Sequence, residues 1–254
     1  SLIYVVILNW NGKRDTLNCL NSVQGQRRVC VKSLVVDNGS SDDSVETIRA
    51  LFPEVQVLET GENLGYAEGN NLGLRSALAQ GSSYVMVLNN DTILDSKCLS
   101  ELKMDLAAHP EAAAASPKMF YYDDPDRVYF SGGTIQENGI PMHSGGKTER
   151  TKTAEESEET EWLTGCSILF RSNALKAVGL FDPRYFLVFE DADWSLRARR
   201  QGYTLRLVPK ARLWHKVSAS FGDTWSPSFL YYYARNGALW VERNFDFWER
   251  PRIY

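Results

Sequence analysis

Short apolar runs alternate with amphipathic stretches through the first third of the chain, and each run breaks on a polar turn. Leu2-Ile3-Tyr4-Val5-Val6-Ile7-Leu8 predicts a strand buried on both faces, closed by the turn Asn9-Trp10-Asn11-Gly12. A helix with Leu17, Leu20 and Val23 on one face follows. Val31 to Val36 predicts the second strand, which breaks at Asp37-Asn38-Gly39-Ser40-Ser41. Ser40 and Asp43 there have the spacing of a capping box for the next helix. Val55 to Leu58 predicts a third strand, followed by a Gly/Asn-rich turn and a helix through Ala67, Leu72, Leu74 and Leu78. Tyr84 to Leu88 predicts a fourth, ending on Asn89-Asn90-Asp91.

Repeated strand–helix units predict an α/β fold, a mostly parallel central sheet flanked by helices. Ligands bind beyond the carboxyl ends of such strands. Those ends carry Asn9, Asp37, Asn63 and Asn89 to Asp91, so four polar clusters are expected along one edge. The second half is less regular. Strands are predicted at Ala112 to Met119, Arg127 to Phe130 and Trp162 to Phe170, and helices at Ser172 to Val178 and Trp194 to Gln201. Gly145 to Glu161 is charge-rich without an apolar period and predicts a mobile loop, a candidate lid over a bound substrate. With no internal repeat or long linker, a single domain over residues 1–254 is expected.

Composition narrows the classes. With 43% hydrophobic and 24% charged residues, the chain can bury an ordinary globular core. A net charge of −4 gives no broad basic face, so no nucleic-acid partner is expected. Cys19, Cys30, Cys98 and Cys166 have neither CxxC nor Cys/His spacing, which predicts free thiols in a reducing compartment. Leu2 to Leu8 falls far short of the roughly 18 apolar residues of a membrane span, and no secretory signal is visible. The chain opens directly into a strand and closes at Ile253-Tyr254 without a stop, as a piece of a longer protein would.

No GxGxxG follows the first strand and no GxSxG elbow occurs, which removes dinucleotide-binding and serine-hydrolase readings. Asp91, at the open edge of a buried strand, can ligate a hard cation such as Mg²⁺ or Mn²⁺, although Asn and Asp also suit a plain turn or helix cap. Glu190, Asp191 and Asp193 lie between Phe189 and Trp194. Acids among aromatics are costly to desolvate unless paired or functional, so one of them can act as a general base while another opens a helix. His215 follows a strand in an aromatic setting and is either a metal ligand or a structural histidine; His109 and His143 look bland.

Taken together, these motifs resemble the family-2 glycosyltransferases of the GT-A fold, especially rhamnosyltransferase-like and galactofuranosyltransferase-like members. The resemblance runs from Val5 to about Asn236. It rests on Val6 to Gly12, Val35 to Asp42, Asn63 to Asn71, Leu88 to Asp91, Thr164-Gly165-Cys166, Phe189 to Trp194 and Trp214-His215. It implies a nucleotide-sugar-binding half over residues 1–118 and an acceptor-binding half over 119–254. Asp37 would take a hydrogen bond from a pyrimidine base, with Asn9 lining that pocket. Asn63 and Gly65 would shape the ribose region, glycine letting the chain approach the ligand. Asn89-Asn90-Asp91 stands where the family has DxD; Asn in the first place leaves Asp91 as the surer metal ligand, with His215 completing the site and Asn89 and Asn90 facing the nucleotide.

Asp191 would be the catalytic base of an inverting transfer that depends on Mg²⁺ or Mn²⁺. The implied donor is a UDP- or dTDP-sugar, with rhamnose or another deoxysugar foremost, and the acceptor a hydroxyl of a glycan or lipid-linked saccharide. Tyr231-Tyr232-Tyr233 could stack on sugar rings and Arg235 could reach a phosphate. The tail from Trp240, with Arg243, Arg250 and Arg252, allows peripheral membrane contact, which suits a cytoplasmic protein at the inner face of a membrane. Two rival readings fit the sequence less well. A sugar-nucleotide nucleotidyltransferase would need a glycine-rich basic loop that Asn9 to Arg14 does not supply, and a noncatalytic glycan-binding relative would have no use for Asp91, Asp191 and His215.

Overall fold

Four parallel strands build the first half of the sheet: β1 (Leu2–Asn9), β2 (Cys30–Asp37), β3 (Gln56–Glu59) and β4 (Tyr84–Asn89). They are joined by the helices α1 (Lys13–Gln24), α2 (Ser44–Leu51) and α3 (Gly65–Ala79). The computed structural model describes residues 2–137, 139–144, 156–217 and 226–245. The chain continues through β5 (Thr92–Leu94), α4 (Cys98–Ala108), β6 (Ala112–Tyr121) and β7 (Val128–Phe130). Then come β8 (Gly133–Ile135), β9 (Pro141–His143), β10 (Glu158–Glu159) and β11 (Ser167–Arg171). Helices α5 (Ser172–Val178) and α6 (Glu190–Arg200), the long strand β12 (Thr204–His215) and helix α7 (Pro227–Asn244) complete it.

The main sheet runs β10-β12-β6-β11-β4-β1-β2-β3. Strand β11 enters antiparallel between β4 and β6, and β12 then pairs parallel with β6. The sheet is therefore mixed, and its antiparallel insertion sits beside the strand that ends at Asn89. Alternation along β1 divides the core as the apolar run predicts. Ile3, Val5 and Ile7 pack with Leu20, Leu99 and Leu102 on one face; Tyr4 and Val6 pack with Leu74 and Ala77 on the other. Residues 118 and 119 both fall inside β6, so the expected boundary between halves runs through a strand.

Several local expectations change. The strand expected from Trp162 starts only at Ser167: Trp162 makes an isolated bridge to Gly133, and its Nε1 donates to the carbonyls of Thr134 and Met142, tying the segment to the β8–β9 hairpin. Helix α6 begins at Glu190, four residues before the expected start, and places all three acids in its first turn, where the helix dipole favours them. Ser40 caps no helix: its hydroxyl accepts hydrogen bonds from Asn9 and Asn11, and α2 starts after Asp43. Of the expected loop over Gly145 to Glu161, residues 145–155 lie outside the described residues, while Glu158–Glu159 pair with β12. Trp240 faces the protein rather than a bilayer, 2% exposed and donating to the Gly139 carbonyl at 2.9 Å. Arg243 pairs with Asp182 at 3.1 Å; Arg250 and Arg252 lie outside the described residues. Among the described residues no helix is long and apolar enough to cross a membrane. All four cysteines are free, with only Cys30 exposed.

Gly65 opens α3 at φ +79°, and a Cβ there would lie 2.4 Å from the Phe186 ring. Its backbone freedom accommodates the Phe186 side chain. Gly65→Ala should destabilise the fold by about 2–3 kcal/mol, combining left-handed strain with the clash. Urea denaturation would measure it, and an unchanged midpoint would refute the assignment.

Candidate active site

The carboxyl ends of β1 and β2 carry the first polar cluster. Asn9 and Asp37 are register partners across the parallel pair, and both are nearly fully buried. Asn9 Nδ2 donates to Asp37 Oδ1 at 2.8 Å, and the Ser40 amide donates to Asp37 Oδ2 at 3.0 Å. On the other side Thr16 Oγ1 donates to Asn9 Oδ1 at 2.7 Å and accepts from Asn90 Nδ2 at 3.0 Å. Nearby, Asn38 Nδ2 reaches Asn63 Oδ1 at 2.9 Å, which also accepts from the Gly65 amide. Asn9, Asp37, Asn63, Gly65 and Asn90 thus belong to one hydrogen-bonded edge.

The second cluster lines a cavity of about 390 Å³ beyond β4 and β12. Asn89, Asp91, Asp191 and His215 all face it. The Asn89-Asn90-Asp91 unit is therefore split: its outer residues look into the cavity, while Asn90 turns back to Thr16. Asp91 sits in the turn between β4 and β5, and its carbonyl accepts from the Lys216 amide, joining that turn to the end of β12. His215 Nε2 comes within 3.1 Å of Asp91 Oδ1. Burial disfavours the His215 imidazolium, but adjacent Cys166 and Asp91 outweigh it and hold the ring well above its ordinary pKa.

Asp91 Oδ1 is buried and faces His215 Nε2. Two ligands at right angles, each about 2.1 Å from a small divalent cation, lie about 3 Å apart, so this oxygen and the His215 nitrogen have the separation of neighbouring ligands. No group of three or more such residues occurs among the described residues. A cation held here would thus keep positions for phosphate oxygens and water, as Mg²⁺ and Mn²⁺ sites commonly do.

The three acids of α6 separate cleanly. Asp193 is structural, accepting from Arg197 Nε at 2.8 Å and Tyr185 OH at 3.2 Å. Asp191 accepts from the amides of Gly165 and Ala192, both at 2.7 Å, which fixes its carboxylate against the Thr164-Gly165-Cys166 turn. Burial raises its pKa to about 6, with those two amides pulling the other way. Glu190 is 4% exposed, and its Oε2 has no partner. Burial, then the neighbouring Asp191 charge, pushes its carboxyl well above the usual range. Opposite stand the aromatic rings of Tyr129, His143 and Trp162, with His143 5.1 Å from Trp162 and 5.6 Å from Tyr129.

The sequence profile of Glycosyl transferase family 2 matches residues 4–179. The chain belongs to that family. Similar proteins include the N-acetylglucosaminyl-diphospho-decaprenol L-rhamnosyltransferase of Mycobacterium tuberculosis, 29% identical over 87% of this chain and 78% of that one. The dTDP-rhamnosyl transferase RfbF of Shigella flexneri is 23% identical over 96% and 81% of the two chains. Among solved structures, GalNAc-T7 with UDP, GalNAc and Mn²⁺ superimposes with a TM-score of 0.69 at 16% identity, over 84% of this chain and 43% of that one. S. aureus TarS 1-349 in complex with UDP gives 0.62 at 16% identity, over 99% and 68%. At these identities the likeness is one of fold, and the fold is GT-A.

In this family-2 glycosyltransferase Asp37 ends β2, Asp91 follows β4 and Asp191 lies on α6, while the aromatic wall of the cavity is not expected from the sequence. His143, bland in the sequence, lines the cavity from β9. Tyr129 and Trp162 carried no signal, because strands distant in sequence bring them together. Of the tyrosines on α7, Tyr233 reaches the cavity, Tyr232 stacks on Phe186 at 4.8 Å, and Tyr231 is 62% exposed. Arg235 donates to the Arg184 carbonyl and to Asn236 Oδ1, so it is engaged within the fold.

Proposed function

We propose that this glycosyltransferase moves a deoxysugar such as rhamnose from a dTDP- or UDP-sugar to a hydroxyl of a glycan or lipid-linked saccharide, inverting the anomeric centre. The observation that carries the reading is the cavity's charge pattern. It gathers Asp91, Glu190 and Asp191, and none of its described lining residues is Lys or Arg. A diphosphate leaving group placed there finds no lysine or arginine among the described lining residues, and a divalent metal beside His215 would supply the charge to hold it.

Asp91 and His215 would hold that metal, Mg²⁺ or Mn²⁺, which when bound neutralises charge on the departing diphosphate. Asp191 takes the proton from the acceptor hydroxyl as its oxygen bonds to the anomeric carbon and the bond to the diphosphate oxygen breaks. The Gly165 and Ala192 amides keep the Asp191 carboxylate oriented for that transfer. Glu190, whose Oε2 has no partner in the fold, is free to hydrogen-bond a sugar hydroxyl. The rings of Tyr129, His143 and Trp162 give an apolar wall suited to a sugar face. Asn9, Asp37, Asn63, Gly65, Asn89 and Asn90 would form the nucleotide side, Asp37 meeting the base. The named activities of the two relatives above support the rhamnosyl donor and the lipid-linked acceptor, and such an acceptor would place the protein at the cytoplasmic face of a membrane.

Asp37→Ala should weaken binding of free UDP or dTDP by about tenfold or more, since a lost hydrogen bond to a charged group is worth about 1.5–3 kcal/mol. Isothermal titration of parent and variant would test it; equal affinity would move the base pocket elsewhere. The reading as a whole is tested by a panel of nucleotide sugars assayed with Mn²⁺ for release of nucleoside diphosphate. dTDP-rhamnose is expected to turn over fastest. Turnover of a purine-nucleotide sugar alone would overturn the donor assignment.

A further inference from the structure

We infer that Asn236 is a positioning residue of this active site: from α7, its buried carboxamide holds the turn that presents Asp191 to the cavity. The inference rests on Asp191 being the base. It begins with the backbone ahead of α6. Phe186, Val188 and Phe189 have φ values of 56°, 62° and 73°, a left-handed conformation that side chains, and a β-branched valine above all, rarely adopt. Three such residues within four positions do not persist unless their surroundings over-determine them. Leu187, Val188 and Phe189 line the cavity, and Phe189 precedes the first turn of α6, where Asp191 lies.

Two anchors hold the turn. On one side the Phe186 carbonyl accepts from the amides of Tyr66 and Ala67, at 2.6 Å and 3.2 Å, closing the N-terminus of α3. On the other stands Asn236, with 0% exposure. The two N–H bonds of its Nδ2 are shared among the carbonyls of Leu187 at 2.5 Å, Val188 at 3.1 Å and Tyr185. Arg235 Nη1 donates to Asn236 Oδ1 at 3.1 Å. A guanidinium offers only donors, so this contact fixes which end of the amide faces the turn. The Tyr231 to Asn236 motif thus has a second use besides its aromatic rings, one that reaches the chemistry through the backbone.

Asn236→Ala is expected to lower kcat by about 10²-fold, the scale of a misplacement of about 1 Å at a reacting group. KM for the donor selected by the panel, and affinity for its nucleoside diphosphate with Mn²⁺, should change less than about threefold, since neither depends on Asp191. Asn236→Ser, which keeps one donor, should restore part of the rate. Asn244→Ala is the control: Asn244 is also buried on α7 but bonds Asp193 and Arg200, so it should cost stability without this loss of kcat. The Asp191→Asn, Asn236→Ala double variant should be no slower than Asp191→Asn alone. A kcat for Asn236→Ala near the parent's, or full additivity in the double variant, would overturn the inference. Turnover surviving in Asp191→Asn would instead overturn the base assignment beneath it. Hydrogen–deuterium exchange over residues 185–192 gives a readout independent of turnover: it should rise in Asn236→Ala and not in Asn244→Ala, and unchanged exchange would also overturn the inference.

Discussion

Asp191→Asn is expected to slow sugar transfer by about 10²–10⁴-fold, the usual contribution of a positioned general base, while nucleoside diphosphate binding with Mn²⁺ stays close to that of the parent. The residue is fixed by two amides at 2.7 Å and faces the cavity shared with Asp91 and His215. Asparagine keeps the shape but cannot accept a proton. The same assignment sets a pH dependence. A base works ionised, and burial raises the Asp191 pKa from its ordinary value to about 6. Activity should therefore fall as pH drops through about 6, not through the value near 4 of an exposed carboxylate. A kcat/KM profile from about pH 5 to about pH 8 would show this limb, and Asp191→Asn should lack it. Turnover of the variant above about a tenth of the parent's would place the base elsewhere.

Asp91→Ala should lower kcat/KM by about 10²–10³-fold and remove most of the gain in nucleotide affinity that Mn²⁺ gives. Its Oδ1 is buried 3.1 Å from His215 Nε2, the separation of two neighbouring ligands of one small cation. Removing it leaves the diphosphate in a cavity with two remaining acids and no described lysine or arginine. The check is calorimetry of UDP or dTDP binding with Mn²⁺ and with EDTA. Equal affinities across both conditions, in parent and variant alike, would dismiss the metal role.

Much of this architecture could be read from the chain before any coordinates, and for one reason. A strand buried on both faces must be an unbroken apolar run, and polar residues that follow it are left at the sheet edge. That is why Asn9, Asp37 and Asn89 to Asp91 could be placed so early. What stayed hidden depends on contacts between distant segments. Strand β11 lies antiparallel because the chain returns from the far side of the sheet, which periodicity does not encode. Three non-glycine residues in left-handed geometry before Glu190 leave no trace in composition. His143 becomes a cavity residue only once β9 folds against Trp162. Asn236 reads as one more polar residue on an amphipathic helix until its three carbonyl partners are seen. The three acids of α6 are alike in sequence and differ only in packing: Asp193 pairs with Arg197, two amides hold Asp191, and Glu190 Oε2 has no partner.

The family profile ends at residue 179, yet Asp191, His215 and Asn236 lie beyond it. Strand β12, which delivers His215, runs parallel to β6 and covers its length. Anyone seeking to trade sugar preference between relatives by exchanging front and rear segments would sever the sheet at β6 and expose its backbone. Grafts confined to the turn at Thr164 to Cys166 or to the β8–β9 hairpin would leave the strands whole, and these are the places to begin such engineering.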